Sequence, residues 1–333
     1  MLMRAKSLVG RHPTSGEAYF WLARAYSELK STNDAIAAYK EALKRKPNAA
    51  EFWHLLAGEY HLSERTEDAI AAFREATKLK PDLALSWLGL GVDYVVSKRI
   101  DDAIGAYKEA IRLDPKLDYA WYGLGIAYRK LNRAQDAVAS FEESLKLGPD
   151  RAQYWYELGL TYSQTEKWAE AIDACSRAVS LKQDFADAWF ALGNIYGKSG
   201  RIDEAIPAHM MATKLKPEWE VAWLILGMDY MMAVDPKDDQ ELEQSCSSAI
   251  SAFMQAIKLK PDYVEAWLSL GNACIASLRT EAAISAFMEV IKLRPGSAEA
   301  WDGLGHAYEM TGLTNEAADA FRRARESGSR LSE

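Results

Sequence analysis

The sequence predicts an all-α fold, a row of antiparallel helix pairs, on three observations. Tryptophan recurs as Trp53, Trp87, Trp121, Trp155, Trp189 and Trp223, each 34 residues after the last, then as Trp267 and Trp301 beyond one longer step of 44. A leucine follows three residues after every one of them, from Leu56 to Leu304. An alanine returns in the same register as Ala35, Ala69, Ala103, Ala137, Ala171, Ala205, Ala249, Ala283 and Ala317. In the cleanest copy, Asp118 to Arg151, the residues Trp121, Leu124, Gly125 and Tyr128 fall at i, i+3, i+4 and i+7 and share one stripe of a helix. A second stripe runs through Ala137, Phe141, Ser144 and Leu145 until Leu147, Gly148 and Pro149 stop it. Each unit is therefore helix, turn, helix, turn. Gly125 is expected where a neighbouring backbone comes close, with Ala137 facing it. One such pair cannot bury both of its apolar faces, so the units must stack.

The chain opens with MLMRAKSLVGRHP, in which Pro13 lies 34 residues before Pro47 and Leu8 and Val9 align with Ala42 and Leu43. Residues 1–15 are expected to form a leftover second helix or a capping helix, and a chain cut from something longer would begin the same way. They lack the apolar run of a signal peptide. Nine units follow, starting near residues 16, 50, 84, 118, 152, 186, 220, 264 and 298, with Tyr19 in the Trp place of the first. Eight of the ten prolines sit between units, where a fixed φ and a missing N–H suit a helix start. Acids such as Glu67, Asp68, Asp101 and Asp102 gather where second helices begin, and Lys78, Lys80, Lys214 and Lys216 gather where they end. That distribution complements the helix dipole and is read as structural, in preference to a basic ridge for a ligand. Irregularities cluster between Cys175 and Ala249. Cys175 and His209 occupy the aromatic place of the second helix, Pro207 interrupts a helical run, and ten extra residues enter within 234–248. Pro207 is expected to kink its helix. Asp235 and Pro236 read as an N-cap and first turn, so the insertion is expected to lengthen the helix that runs toward Leu259. A lip over the neighbouring groove is the other reading. The last unit turns polar, with Arg325, Ser327 and Ser329 where Ile291, Leu293 and Pro295 stand one unit earlier, as a terminal repeat requires.

A 34-residue unit reading W-x2-L-G-x2-Y, then A-x3-F, then P resembles the tetratricopeptide repeat, over about residues 16–331. The resemblance implies a single right-handed superhelical α-solenoid of antiparallel helix pairs, whose first helices line a concave groove. It implies a protein–protein interaction scaffold that holds a peptide or an amphipathic helix in that groove. Two rivals stand beside it: a regulatory receptor for a small apolar ligand or lipid, and the repeat arm of a larger enzyme whose catalytic part is absent.

The candidate partner-binding residues lie opposite the Trp, Leu, Gly and Tyr stripe. They are Leu88 and Val92, flanked by Leu85, Val95 and Val96; Tyr119, Tyr122 and Ile126; Tyr156 and Leu160; Phe190; and Leu224, Met228, Met231 and Met232. A helix that is apolar all round is expected to be covered on both sides. Units nearer the ends put Arg24, His54, Asp302 and His306 on this face, so the apolarity is central. Tyr122, Tyr156, Phe190 and Leu224, with Met228, are expected to follow one continuous track, although some of the face could instead pack on the next first helix. Some members of the resembled family hold a peptide carboxylate with Lys and Asn from adjacent first helices. Asn194 and Asn272 stand at one such place, but Leu88, Tyr122 and Leu224 fill others, so this clamp is incomplete.

Chemistry finds little support. A net charge of -8 gives no electrostatic reason to bind nucleic acid. Three cysteines without regular spacing imply no disulfide framework and a reducing, cytoplasmic setting. No run approaches the roughly 18 apolar residues of a membrane span. There is no G-x-x-x-x-G-K, H-E-x-x-H or C-x-x-C. His54 and His61 share a helical face about 10 Å apart, too far to hold one metal ion alone. Cys175 and Cys274 replace aromatics and read as small buried hydrophobes. The expectation is a protein that is not an enzyme and needs no cofactor or metal. An open apolar groove and a polar last helix could also meet in a homodimer.

Overall fold

The computed structural model describes residues 1–233 and 239–329, whose regular structure is entirely α-helical. The helices gather into two compact units, the first ending at Lys167 and the second starting at Trp168. The first unit holds α1 (Leu2–Arg11), α2 (Gly16–Glu28), α3 (Thr32–Arg45), α4 (Ala50–Leu62) and α5 (Thr66–Leu79). It continues with α6 (Ala84–Val96), α7 (Ile100–Leu113), α8 (Asp118–Lys130), α9 (Ala134–Leu147) and α10 (Ala152–Gln164). The second unit holds α11 (Trp168–Leu181), α12 (Ala186–Lys198), α13 (Ile202–Leu215), α14 (Glu220–Met232) and α15 (Asp239–Leu259). It continues with α16 (Val264–Ala276), α17 (Thr280–Leu293), α18 (Ala298–Met310) and α19 (Thr314–Ser329). Within each unit every helix packs on the next, and first helices also touch one another, as α4 with α6, α6 with α8 and α14 with α16. Each unit is thus an α-solenoid of helix pairs.

The repeated residues explain the stacking. Ala35, Ala69, Ala103 and Ala137 in the first unit, and Ala171, Ala205, Ala249 and Ala283 in the second, are fully buried. The glycine of the first helix does not serve a backbone approach, as expected, but a ring. A Cβ on Gly125 would lie 2.6 Å from the Phe141 ring, and one on Gly227 would lie 2.5 Å from the Phe253 ring. In α6, α8, α14, α16 and α18 the aromatic of the following second helix therefore fills the space that the glycine leaves. Cys175 takes that place in α11, fully buried, and burial pushes its thiol up to about 12.

Two further devices recur along the chain. Each repeated tryptophan donates its indole N–H to the carbonyl six residues upstream, from Trp53 to Pro47 at 2.8 Å through to Trp301 to Pro295 at 3.1 Å. At Trp189 the acceptor is Gln183, at 2.9 Å, because the bond needs only a backbone carbonyl. Among the described residues the turns inside the pairs pass through the left-handed region, at Lys30, Glu64, Lys98, Asn132, Glu166 and Leu278 with φ from 56° to 61°, and at Gly200 and Gly312 with φ of 79° and 78°.

The irregular region keeps its helices. α13 retains 14 residues through Pro207. α15 has 21 residues where α13 and α17 have 14. Asp235 and Pro236, expected to cap this longer helix, lie outside the described residues.

Candidate interaction surface

In the first unit the face opposite the Trp stripe belongs to α4, α6, α8 and α10. Polar contacts bridge most of these helices. Ser27 on α2 donates to the buried Glu59 on α4. On α4, His54 Nδ1 lies 2.9 Å from Ser86 Oγ, and His61 Nδ1 lies 2.6 Å from Asp93 Oδ1, both partners being buried on α6. Burial holds the His54 imidazole below the usual histidine range and the Asp93 carboxyl above the usual carboxylate range. On α8, Arg129 pairs with Glu157 of α10 at 2.8 Å, and burial also raises the Glu157 carboxyl.

Between α6 and α8 the polar series stops. Val95 and Ala127 stand where His61 and Asp93 stand one repeat earlier. Leu85 and Val96, at the two ends of α6, are 56% and 58% exposed, with Leu88, Val92 and Val95 half-buried between them. Tyr119 adds an exposed ring from α8, held by the Arg151 guanidinium, which donates to its hydroxyl at 3.1 Å. Ile126 is half-buried beside it in sequence register. The result is an apolar window flanked by His61 and Asp93 toward α4 and by Arg129 and Glu157 toward α10.

Other predicted residues are partly used up by packing. Tyr122 stacks on the buried Tyr154 with centroids 4.5 Å apart, and burial pushes its hydroxyl up to about 12. Tyr156 and Leu160 on α10 are half-buried. In the second unit Phe190 leans on Trp219 at 4.4 Å and on His209 at 5.2 Å, and Asn194 is half-buried. Leu224 is a correction: at 5% exposure it lies in the core cluster with Phe253 and Leu270 and offers no open surface. Met228 and Met231 pack half-buried against that cluster, and Met232 is exposed. The members of the expected track therefore divide, Tyr122 and Tyr156 in the first unit and Phe190, Leu224 and Met228 in the second.

One buried pair escaped sequence reasoning. His209, in the aromatic place of α13, meets Asp229 of α14 through Nδ1 while its buried Nε2 has no partner. The signal was present, since Asp229 occupies the place of Ala127 and Ala273. A charge there demands a donor.

Among the described residues no group of three His, Cys, Asp or Glu side chains could hold a metal ion, and no helix is long and apolar enough to cross a membrane. Helix pairs repeating around alanine and tryptophan contacts define a helical-repeat protein. Sequence profiles described as tetratricopeptide repeat match residues 2–59 and, in overlapping windows, 63–118, 88–152, 122–184, 156–213, 243–289 and 275–330. The chain belongs to the tetratricopeptide repeat family. Among solved structures it is similar to the C-terminal part of a TPR repeat-containing protein from Cytophaga hutchinsonii, at 14% identity and a TM-score of 0.63, covering 74% of this chain and 98% of that one. Pseudomonas aeruginosa pilF matches at 15% identity and a TM-score of 0.53, covering 65% of this chain and 94% of that one. The Cut9–Hcn1 hetero-tetramer of the APC/C matches at 19% identity and a TM-score of 0.51, covering 83% of this chain and 52% of that one. At these identities the likeness is one of fold. Comparison with curated proteins returns no match.

Proposed function

We propose that the chain is a protein-interaction scaffold without a catalytic step, and that the α6–α8 window of the first unit takes an apolar peptide or one face of an amphipathic helix. The observation that carries this reading is the apolar run on α6, exposed at both ends by Leu85 and Val96. Exposed apolar patches of a few hundred Å² commonly mark interaction sites. The flanking pairs, His61 with Asp93 and Arg129 with Glu157, would fix the register of a partner whose ends are polar. An overall charge of -8 argues against a nucleic-acid partner.

The test replaces Leu85 and Val96 with Asp and screens the full chain against a displayed library of helical 16-residue peptides. Both side chains are more than half exposed, so helix content and melting should be kept. Wild type is expected to enrich peptides with an i, i+3, i+4, i+7 apolar face, and the double variant to retain less than a tenth of their binding. Enriched peptides that bind the variant as well as wild type would remove the window from the reading.

A further inference from the structure

Along most second helices the exposed basic residue near the end pairs with an acid of the same helix. Successive second helices leave a groove floored by the Trp, Leu and Tyr of the first helix between them, as between α7 and α9 and between α17 and α19. Between α7 and α9 that groove is lined by Lys108, Asp136, Glu142 and Glu143 above Trp121, Leu124 and Tyr128. The equivalent groove between α13 and α15 has a floor of Trp223, Leu226 and Tyr230 and a volume of about 960 Å³, against about 450 Å³ for the other. The charged positions of the α7–α9 groove are replaced here. In register, Lys108 becomes Met210, Asp136 becomes Ser248, Glu142 becomes Met254 and Glu143 becomes Gln255.

Among the described residues the one charged side chain that lines this groove is Lys214. Elsewhere the basic residue at this place is neutralised by a glutamate three residues earlier: Lys44 by Glu41, Lys78 by Glu75, Arg112 by Glu109, Lys146 by Glu143 and Lys292 by Glu289. Before Lys214 that place is Met211, and before Lys258 it is Gln255. Lys214 therefore borders the apolar groove without the acid that the other repeats supply, and Lys258, on α15 beyond the lining, stands in the same register without one.

The apolar surface also runs past the groove. Met210 on α13, Met254 on α15 and Met288 on α17 share one register and are 48%, 57% and 53% exposed, where the first unit has Lys40, Arg74, Lys108 and Glu142. Methionine is a soft, adaptable contact residue. A small ligand confined to the cavity would leave Met254 and Met288 uncovered, whereas a polypeptide crossing successive second helices would use them. The lengthened α15 contributes too. Counted back from Leu259, the 14 residues of an ordinary second helix would begin at Cys246, and Gln244, one of the added residues, lines the groove with Ser247 and Ser248.

We propose that the groove between α13 and α15 docks an acidic amphipathic helix of a partner protein, its apolar face on Trp223, Tyr230 and the methionines and its carboxylates on Lys214 and Lys258. Because the chain as a whole is acidic, these two lysines supply the attraction locally. The surface lies on other helices than the α6–α8 window, so it stands or falls independently of the reading given above.

The test uses the full chain and a fluorescein-labelled 16-residue helical peptide with leucines at i, i+3, i+4 and i+7 and glutamates along one edge. A second peptide carries lysine in place of each glutamate, and oleate is the third probe. The acidic peptide is expected to bind at least tenfold more tightly than the basic one. Met210→Lys with Met254→Glu, which restores the residues of the α7–α9 groove, should weaken it tenfold or more, and Lys214→Glu with Lys258→Glu several-fold. Leu85→Asp with Val96→Asp should leave it unchanged. The altered side chains are exposed, so helix content and melting serve as controls. No binding of the acidic peptide, equal binding of both peptides, or indifference to the methionine variant would overturn the proposal. Binding of oleate with none of the acidic peptide would overturn it in favour of a lipid site.

Discussion

His209 and Asp229 show what one departure from the repeat requires of another. Where most second helices place Phe or Tyr, His209 brings a ring with two nitrogens into a space that excludes water, 2.5 Å from where a Cβ on Gly193 would stand. Asp229 satisfies one nitrogen and is itself buried, so each residue is tolerable only with the other. His209→Phe alone should cost about 3–5 kcal/mol, because it strands a buried carboxylate. Adding Asp229→Ala, which restores the residues of the regular repeats, should recover the loss and can stabilise by about 1–4 kcal/mol beyond wild type. Urea titrations of the two single variants and the double variant measure this cycle. If the double variant is no more stable than His209→Phe, the pair is not what holds either residue in place.

At the scale of the helix, burial separates the two faces of each first helix. Leu158 and Leu192 are buried, whereas Leu88 is half-buried on the face that α6 leaves open. Truncating either buried leucine to alanine should cost about 2–5 kcal/mol, the range for removing a core leucine. Leu88→Ala should cost clearly less, since part of its surface is already in water. Equal losses, read as shifts in urea midpoint at constant slope, would place Leu88 in the ordinary core and close the α6–α8 window. The turns inside the pairs add a constraint of their own. Six of them hold a side-chain residue at positive φ, where only the short connection between packed helices makes the conformation affordable.

At the scale of the molecule, stability should be a sum of local terms, because in a stack each repeat meets only its neighbours. Two compact units, each with its own packed helix pairs, sharpen this expectation. Leu304, buried in the last pair, is a suitable probe. Leu304→Ala should speed amide exchange in α16 to α19 and leave α4 to α9 of the first unit unchanged. Uniform acceleration along the chain, followed by mass spectrometry, would mean that the whole array opens as one block.

Much of this was legible in the chain itself. The 34-residue return of Trp, Leu and Ala and the prolines between units specify helix pairs and their stacking, because identical short-range contacts are made again in every copy. The burial of Cys175 followed from its place in that register, as did an apolar face on α6. Three matters needed the packed coordinates. Whether a first-helix residue is open depends on the size of what the next repeat sets against it, which is why Tyr122 is covered by Tyr154 and Leu224 vanishes into the core while Leu85 stays exposed. The first-helix glycine yields to a ring from another helix, a contact that no single stripe displays. The outer groove between α13 and α15 appears only when residues 207 to 252 come together from three helices. Periodicity reports which face of a helix is apolar, but the volume left between faces is set by side chains distant in sequence.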